Sequence, residues 1–132
     1  MFASHNFITE SHLSIVPYLL LCNPDPVIVR TLAVLGVNFD CASRNEIRLV
    51  QEQSADLPRK PDIIFANPCK ARAHILEAVC KGVKRMTFDN IAEVQKIASI
   101  SKSIELVLRI ATDDRGSLCR LSSKFGAPRS MW

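Results

Sequence analysis

The chain has 132 residues, 48% of them hydrophobic and 23% charged, and a formal net charge of +4. That composition suits one folded domain with a substantial core and excludes disorder along the whole length. The basic residues are scattered, with Lys81, Lys84 and Arg85 the nearest to a cluster, so no nucleic-acid face is expected.

The segment 1–12 carries no Lys or Arg to form the n-region of a secretory signal, and the apolar run at 13–22 is broken by Pro17 and too short to span a bilayer. The chain therefore reads as cytoplasmic, with no membrane partner. Within that run VPYLLLC has the form of a buried strand, followed by Asn23 and Asp25 as turn formers. Pro26 suits the first turn of a helix, where its missing N–H would be unpaired anyway. The helix is carried by Val27, Ile28, Leu32 and Leu35 and stops at Gly36. A short strand at 37–40 ends on Asp40. Ser43 with Glu46 three residues later has capping-box form and opens a helix with Ile47 and Val50 inward. A polar loop is expected at 51–61.

The pattern then repeats: a strand at 62–65, a helix at 70–81 stopped by Gly82, a strand at 83–88, and a helix through Ile91, Val94 and Ile97 with Asp89 as its N-cap. The last clear strand, ELVLRIA at 105–111, is apolar on both faces except for Arg109. Continuous apolar strands alternating with helices imply a parallel sheet under helical cover. The fold class is α/β, with about five parallel strands and four helices. Repetition alone fits either part of a (β/α)₈ barrel or a doubly wound sheet, and a full barrel needs about 250 residues.

Ligands bind at the C-terminal edge of parallel sheets, so the candidate residues are Asn23, Asp25, Asp40, Asn67, Asp89 and Arg109. A guanidinium in an apolar strand needs an anionic partner, and Asp40 is the expected one. The five cysteines stand far apart without a CxxC pair, which favours a reducing compartment and small core roles. His5, His12 and His74 have no metal-binding spacing, His74 being a helix-surface residue, and no metal site is expected. No GxGxxG or P-loop occurs.

Several stretches are nevertheless specific: NFDCASRNEI at 38–47, FANPCK at 65–70, MTFD at 86–89, LVLRIATDD at 106–114 and CRLSSKFGA at 119–127. In this order and spacing the chain resembles eukaryotic ornithine decarboxylase, of the pyridoxal-phosphate-dependent ornithine, diaminopimelate and arginine decarboxylases. The resemblance covers about 17–127 and implies a partial (β/α)₈ TIM-type barrel. It also implies pyridoxal 5′-phosphate as cofactor, a homodimer, and the conversion of ornithine to putrescine in polyamine biosynthesis. By the same resemblance, Leu21 occupies the position of the lysine that holds the cofactor as an imine, Asp40 and Arg109 flank the pyridine ring, and Lys124 lies at the dimer contact. The segment 72–95 matches the surface that the regulatory protein antizyme grips, and the remaining site residues, phosphate loop included, lie beyond Trp132.

These implications divide the chain into an extension at 1–16 unlike the family, a partial barrel domain at 17–127 and a tail at 128–132. They describe a decarboxylase fragment without catalytic residues of its own, because leucine has no amine to form the imine. A non-catalytic regulator resembling an antizyme inhibitor is the alternative. A truncated gene model and a decayed copy are further readings of the same string.

Overall fold

The computed structural model describes residues 17–113, 116 and 124–131. The expected extension at 1–16, with His5 and His12, and Cys119 lie outside the described residues. The elements are β1 (Tyr18–Leu19), α1 (Pro26–Val34), β2 (Phe39–Cys41), α2 (Arg44–Gln53), β3 (Ile63–Phe65), α3 (Arg72–Cys80), β4 (Arg85–Phe88), α4 (Ile91–Ala98) and β5 (Glu105–Leu108). A 3₁₀ turn at Leu20–Cys22 follows β1, and another occupies Arg129–Met131.

All five strands are parallel and lie in the order β1-β2-β3-β4-β5. Each new strand is added on the same side as the one before. A doubly wound sheet must reverse that direction at a switch point, so the topology selects the barrel-type arrangement. One further parallel bridge, Ile110 with Ala127, extends the edge beyond β5.

The registers divide the sheet into two faces. Cys41 pairs with Phe65, Phe65 with Met86, and these three are buried beneath the helices with Phe39, Ile47, Val50, Ile75 and Ile97. Burial of each large side chain contributes roughly 1.5–3 kcal/mol. The alternate row, Leu19, Asp40, Ile64 and Arg85 by the same registers, faces the other side, which in a barrel is the interior.

Several local expectations are corrected. The first strand is only two residues long, because the chain turns into the 3₁₀ segment at Leu20. In α1 the core positions are Val29 and Ala33, while Val27 and Leu35 are exposed; a helix apolar on all sides does not declare its inner face. Asp25 is more than a turn former: its carboxylate accepts from the Val27 and Ile28 N–H groups as the N-cap of α1. Helix α2 runs on to Gln53, so the loop begins later than expected. Asp89 does not cap α4; Asn90 does, through its side-chain oxygen on the Glu93 N–H. Within α4, Ile91 is exposed and Glu93 is buried. Of the described cysteines only Cys41 is buried; Cys22, Cys69 and Cys80 are exposed, so the core role expected for most of them does not hold. Burial and the neighbouring carboxylates push the Cys41 thiol up, so it stays protonated. His74 is half-buried within α3. Among the described residues no helix is long and apolar enough to cross a membrane, and no cluster could hold a metal ion.

Candidate active site

The C-terminal edge of the sheet gathers the residues singled out from the sequence. Leu21 is the middle residue of the 3₁₀ turn after β1, Asp40 lies in β2, Asn67 follows β3, Asp89 follows β4 and Arg109 follows β5. All five stand at or just past the C-terminal end of a strand, the edge where parallel sheets bind their ligands.

Leu21 is 70% exposed, an apolar side chain presented to solvent beside that edge. Asp40 is half-buried, and its Oδ1 is the one buried side-chain polar atom without a hydrogen-bond partner among the described residues. Burial raises its carboxyl above the ordinary carboxylate range, Glu46 adds to the rise, and the Arg109 charge opposes it. The expected Asp40–Arg109 ion pair does not form. Arg109 instead places its guanidinium 5.2 Å from the centre of the Phe125 ring, close enough to be felt by Asp40 but not bonded to it. Lys124, the candidate dimer-contact residue, is exposed in the turn before Phe125.

The capping box expected from Ser43 and Glu46 is present in a tightened form. The Glu46 N–H donates to Ser43 Oγ at 3.3 Å, Ser43 Oγ donates to Glu46 Oε1 at 2.9 Å, and Glu46 Oε2 accepts from the Ala42 N–H at 2.8 Å. Asn67 Oδ1 accepts from the Cys69 N–H, and Asn23 Oδ1 from the Asp25 N–H, so both are turn formers.

Sequence reasoning missed the most deeply buried charges of this end. Lys70 and Glu93 are both inside, with Lys70 Nζ 2.9 Å from Glu93 Oε1 and donating also to the carbonyls of Asn67 (2.9 Å) and Thr87 (2.6 Å). All three of its N–H donors are engaged, so Lys70 is no substitute for the absent amine. Burial draws its ammonium below the usual lysine range, opposed by Glu93. The spacing Asn90-x-x-Glu93 reads as an exposed capping box, which is why no sequence signal pointed inward.

A cleft of about 590 Å³ opens at the opposite end of the sheet, lined by Gln51, Lys60, Ile63, Lys81 and Lys84 among others. Lys60 donates to the carbonyls of Ser54 and Ala55 just past the end of α2, and Lys81 donates to the Gln51 side-chain oxygen, so both lysines are engaged structurally. That end is not where parallel sheets place their chemistry.

Pyridoxal phosphate needs an amine for its aldehyde and donors for its phosphate. Leu21 offers no amine. The N-termini of α1, α2 and α4 at this edge are filled by the side chains of Asp25, Ser43 and Asn90, so a phosphate would compete there with built-in caps; α3, with Ala71 at its N-cap, has no side-chain cap. The orphaned Asp40 oxygen and the Arg109 cation mark an edge left open to a polar ligand. The residues present therefore do not fit an imine-held cofactor.

The family model of the pyridoxal-dependent decarboxylase pyridoxal-binding domain matches residues 5–131. The chain is 49% identical over 110 residues to ornithine decarboxylase of Mus musculus, covering 83% of this chain and 23% of that protein. It is 49% identical over 111 residues to antizyme inhibitor 2 of Xenopus laevis, covering 84% of this chain and 24% of that protein. The arginine decarboxylase of Paramecium bursaria Chlorella virus superposes with a TM-score of 0.78 at 36% identity, over 86% of this chain and 30% of that one. The chain thus spans about a quarter of the length of the curated relatives it matches.

Proposed function

The chain belongs to the pyridoxal-dependent decarboxylases through their pyridoxal-binding domain, and from that premise we propose that it is an ornithine decarboxylase-type barrel segment that is catalytically silent by itself. The observation that carries this is Leu21. By resemblance it stands where the family's imine-forming lysine stands, directly before Cys22 and Asn23, and its exposed side chain has no reactive group. Asp40 and Arg109 are the retained cofactor-side residues, Lys124 a dimer contact, and pyridoxal phosphate the group they served. The decarboxylation of ornithine to putrescine, the homodimer and a cytoplasmic location belong to this proposal.

The test is to incubate the chain with ornithine and pyridoxal phosphate, to assay putrescine, and to reduce the mixture with borohydride for peptide mapping. No putrescine and no cofactor adduct at position 21 are expected. Leu21→Lys restores an amine but leaves the N-termini of α1, α2 and α4 filled by their own caps, so it too is expected to make no putrescine. Putrescine formed by either chain overturns the reading.

A second reading, a non-catalytic partner of antizyme, is favoured by the relative named antizyme inhibitor 2 and by the same Leu21. The segment 72–95 runs through α3, β4 and into α4, and it presents Leu76 and Ile91 to solvent. Capture of the chain by purified antizyme, lost in a Leu76→Glu, Ile91→Glu variant, supports it; no capture ends it.

A further inference from the structure

We propose that Asp89 is a positioning residue: through Gly126 it sets Phe125 against Arg109 and so fixes the guanidinium at the strand edge that holds Asp40. The functional meaning rests on reading that edge as the cofactor side of the site; the geometry stands without it.

Asp89 is free for this task because Asn90 caps the following helix. Both of its carboxylate oxygens are committed. Oδ1 accepts from Asn90 Nδ2 at 2.8 Å, and Oδ2 accepts from the Gly126 N–H at 3.1 Å, a contact between residues 37 apart in the chain. The first bond fixes the side chain and the second tethers a distant segment.

Only glycine can occupy the tethered position. Gly126 has φ +117, and a Cβ there would lie 2.7 Å from the Ala111 nitrogen and 2.9 Å from the Ile110 carbonyl carbon. That close approach brings Ala127 into line with the end of β5: its N–H donates to the Arg109 carbonyl at 2.8 Å, and the Ala111 N–H donates to its carbonyl at 2.9 Å. Phe125, one residue before Gly126, then supplies the ring on which the Arg109 guanidinium sits.

Arg109 is held from the other flank as well, its N–H donating 2.8 Å to the carbonyl of Phe88, the residue before Asp89. The 88–89 corner therefore grips Arg109 twice, once through the backbone and once through the 125–127 segment. A long cationic side chain that bonded Asp40 would neutralise it. Stacked on Phe125, it leaves Asp40 Oδ1 unpartnered while still lowering the cost of its charge.

The experiment is solution NMR of the isotopically labelled full chain. In the unaltered protein, a through-hydrogen-bond coupling between the Gly126 amide nitrogen and the Asp89 carboxylate carbon is expected, as is a ring-current displacement of the Arg109 Nε–H that Phe125→Leu abolishes. Asp89→Ala should remove that displacement and speed Gly126 amide exchange about tenfold, the factor for loss of one charge-assisted hydrogen bond, while the amides of β2 and β3 keep their shifts. Asp89→Asn, which retains an acceptor for Gly126, should restore the Arg109 displacement. Absence of the coupling in the unaltered chain, or an Arg109 signal indifferent to Asp89→Ala, overturns the proposal. The coupling is read without any variant, so a poorly folding Asp89→Ala leaves the test standing. None of these signals needs turnover or bound pyridoxal phosphate, so putrescine formation would overturn the silent reading and leave this one untouched.

Discussion

Lys70 and Glu93 form an ion pair of 2.9 Å with side chains 0% and 2% exposed, joining the loop after β3 to α4. Lys96 completes the group, with Nζ 2.5 Å from Glu93 Oε2 and 2.6 Å from the Lys70 carbonyl. The Lys70 N–H also donates to Glu93 Oε1 at 3.2 Å, so one carboxylate organises two ammonium groups and a backbone donor.

Removing one member leaves uncompensated charge inside the protein. Glu93→Ala is expected to cost about 3–5 kcal/mol in urea denaturation, and the Lys70→Met, Glu93→Leu double variant to recover most of that loss. A Glu93→Ala cost below about 1 kcal/mol would mean that the pair behaves as a solvated one.

Asp40 should make stability fall as the solution leaves acid pH. Below its ordinary value of 3.8 both folded and unfolded chains hold the proton. Between 3.8 and the raised folded value the folded chain binds the extra proton, so stability declines as pH rises through that window. The deficit persists at neutral pH. Asp40→Asn is expected to melt at a higher temperature than the parent at neutral pH, with the difference closing in acid. A gap unchanged between the two conditions would contradict the buried, unpartnered carboxyl.

Two glycines with positive φ should respond differently to one methyl group. A Cβ at Gly82, φ +78, meets nothing within 4 Å, so Gly82→Ala carries only the left-handed backbone cost of about 1–2 kcal/mol. At Gly126 the Cβ would overlap Ala111, and Gly126→Ala should cost more than Gly82→Ala and release the Ala127 contacts to Arg109 and Ala111. Thermal unfolding of the two variants side by side checks the order. Equal costs would place the 124–127 segment elsewhere.

Ser43→Ala removes the N-cap of α2 and the hydroxyl that fixes Glu46. A loss of about 1 kcal/mol is expected, together with faster amide exchange in the first turn of α2. Exchange that speeds instead across β2 and β3 would show that Ser43 supports the sheet and not the cap.

The sequence by itself carried the alternation of strand and helix, the helix start at Pro26 and the cap at Ser43, and the strand-end positions of Asp40 and Arg109. These are local matters, set by backbone geometry and by side chains within a few residues. Leu21 belongs with them, since the absence of an amine is a property of the residue and no fold can alter it. Strand order, and with it barrel over doubly wound sheet, came from which strands share hydrogen bonds, which no local pattern encodes. The partners of the charged groups came from the same source. An apolar strand's arginine calls for an anion such as Asp40, but the 124–127 segment brings an aromatic ring to it first. Asp89 was read as a cap because aspartate after a strand usually is one; Asn90 takes that place, and Asp89 turns to Gly126. Glu93 has only the spacing of a capping box to Asn90 in the sequence, yet the buried Lys70 ammonium, whose charge needs an anion where water cannot reach, draws it into the core. Local chemistry decides which groups are able to pair; the tertiary structure decides which of them meet, because desolvated charge bonds to whatever the packed chain brings within reach.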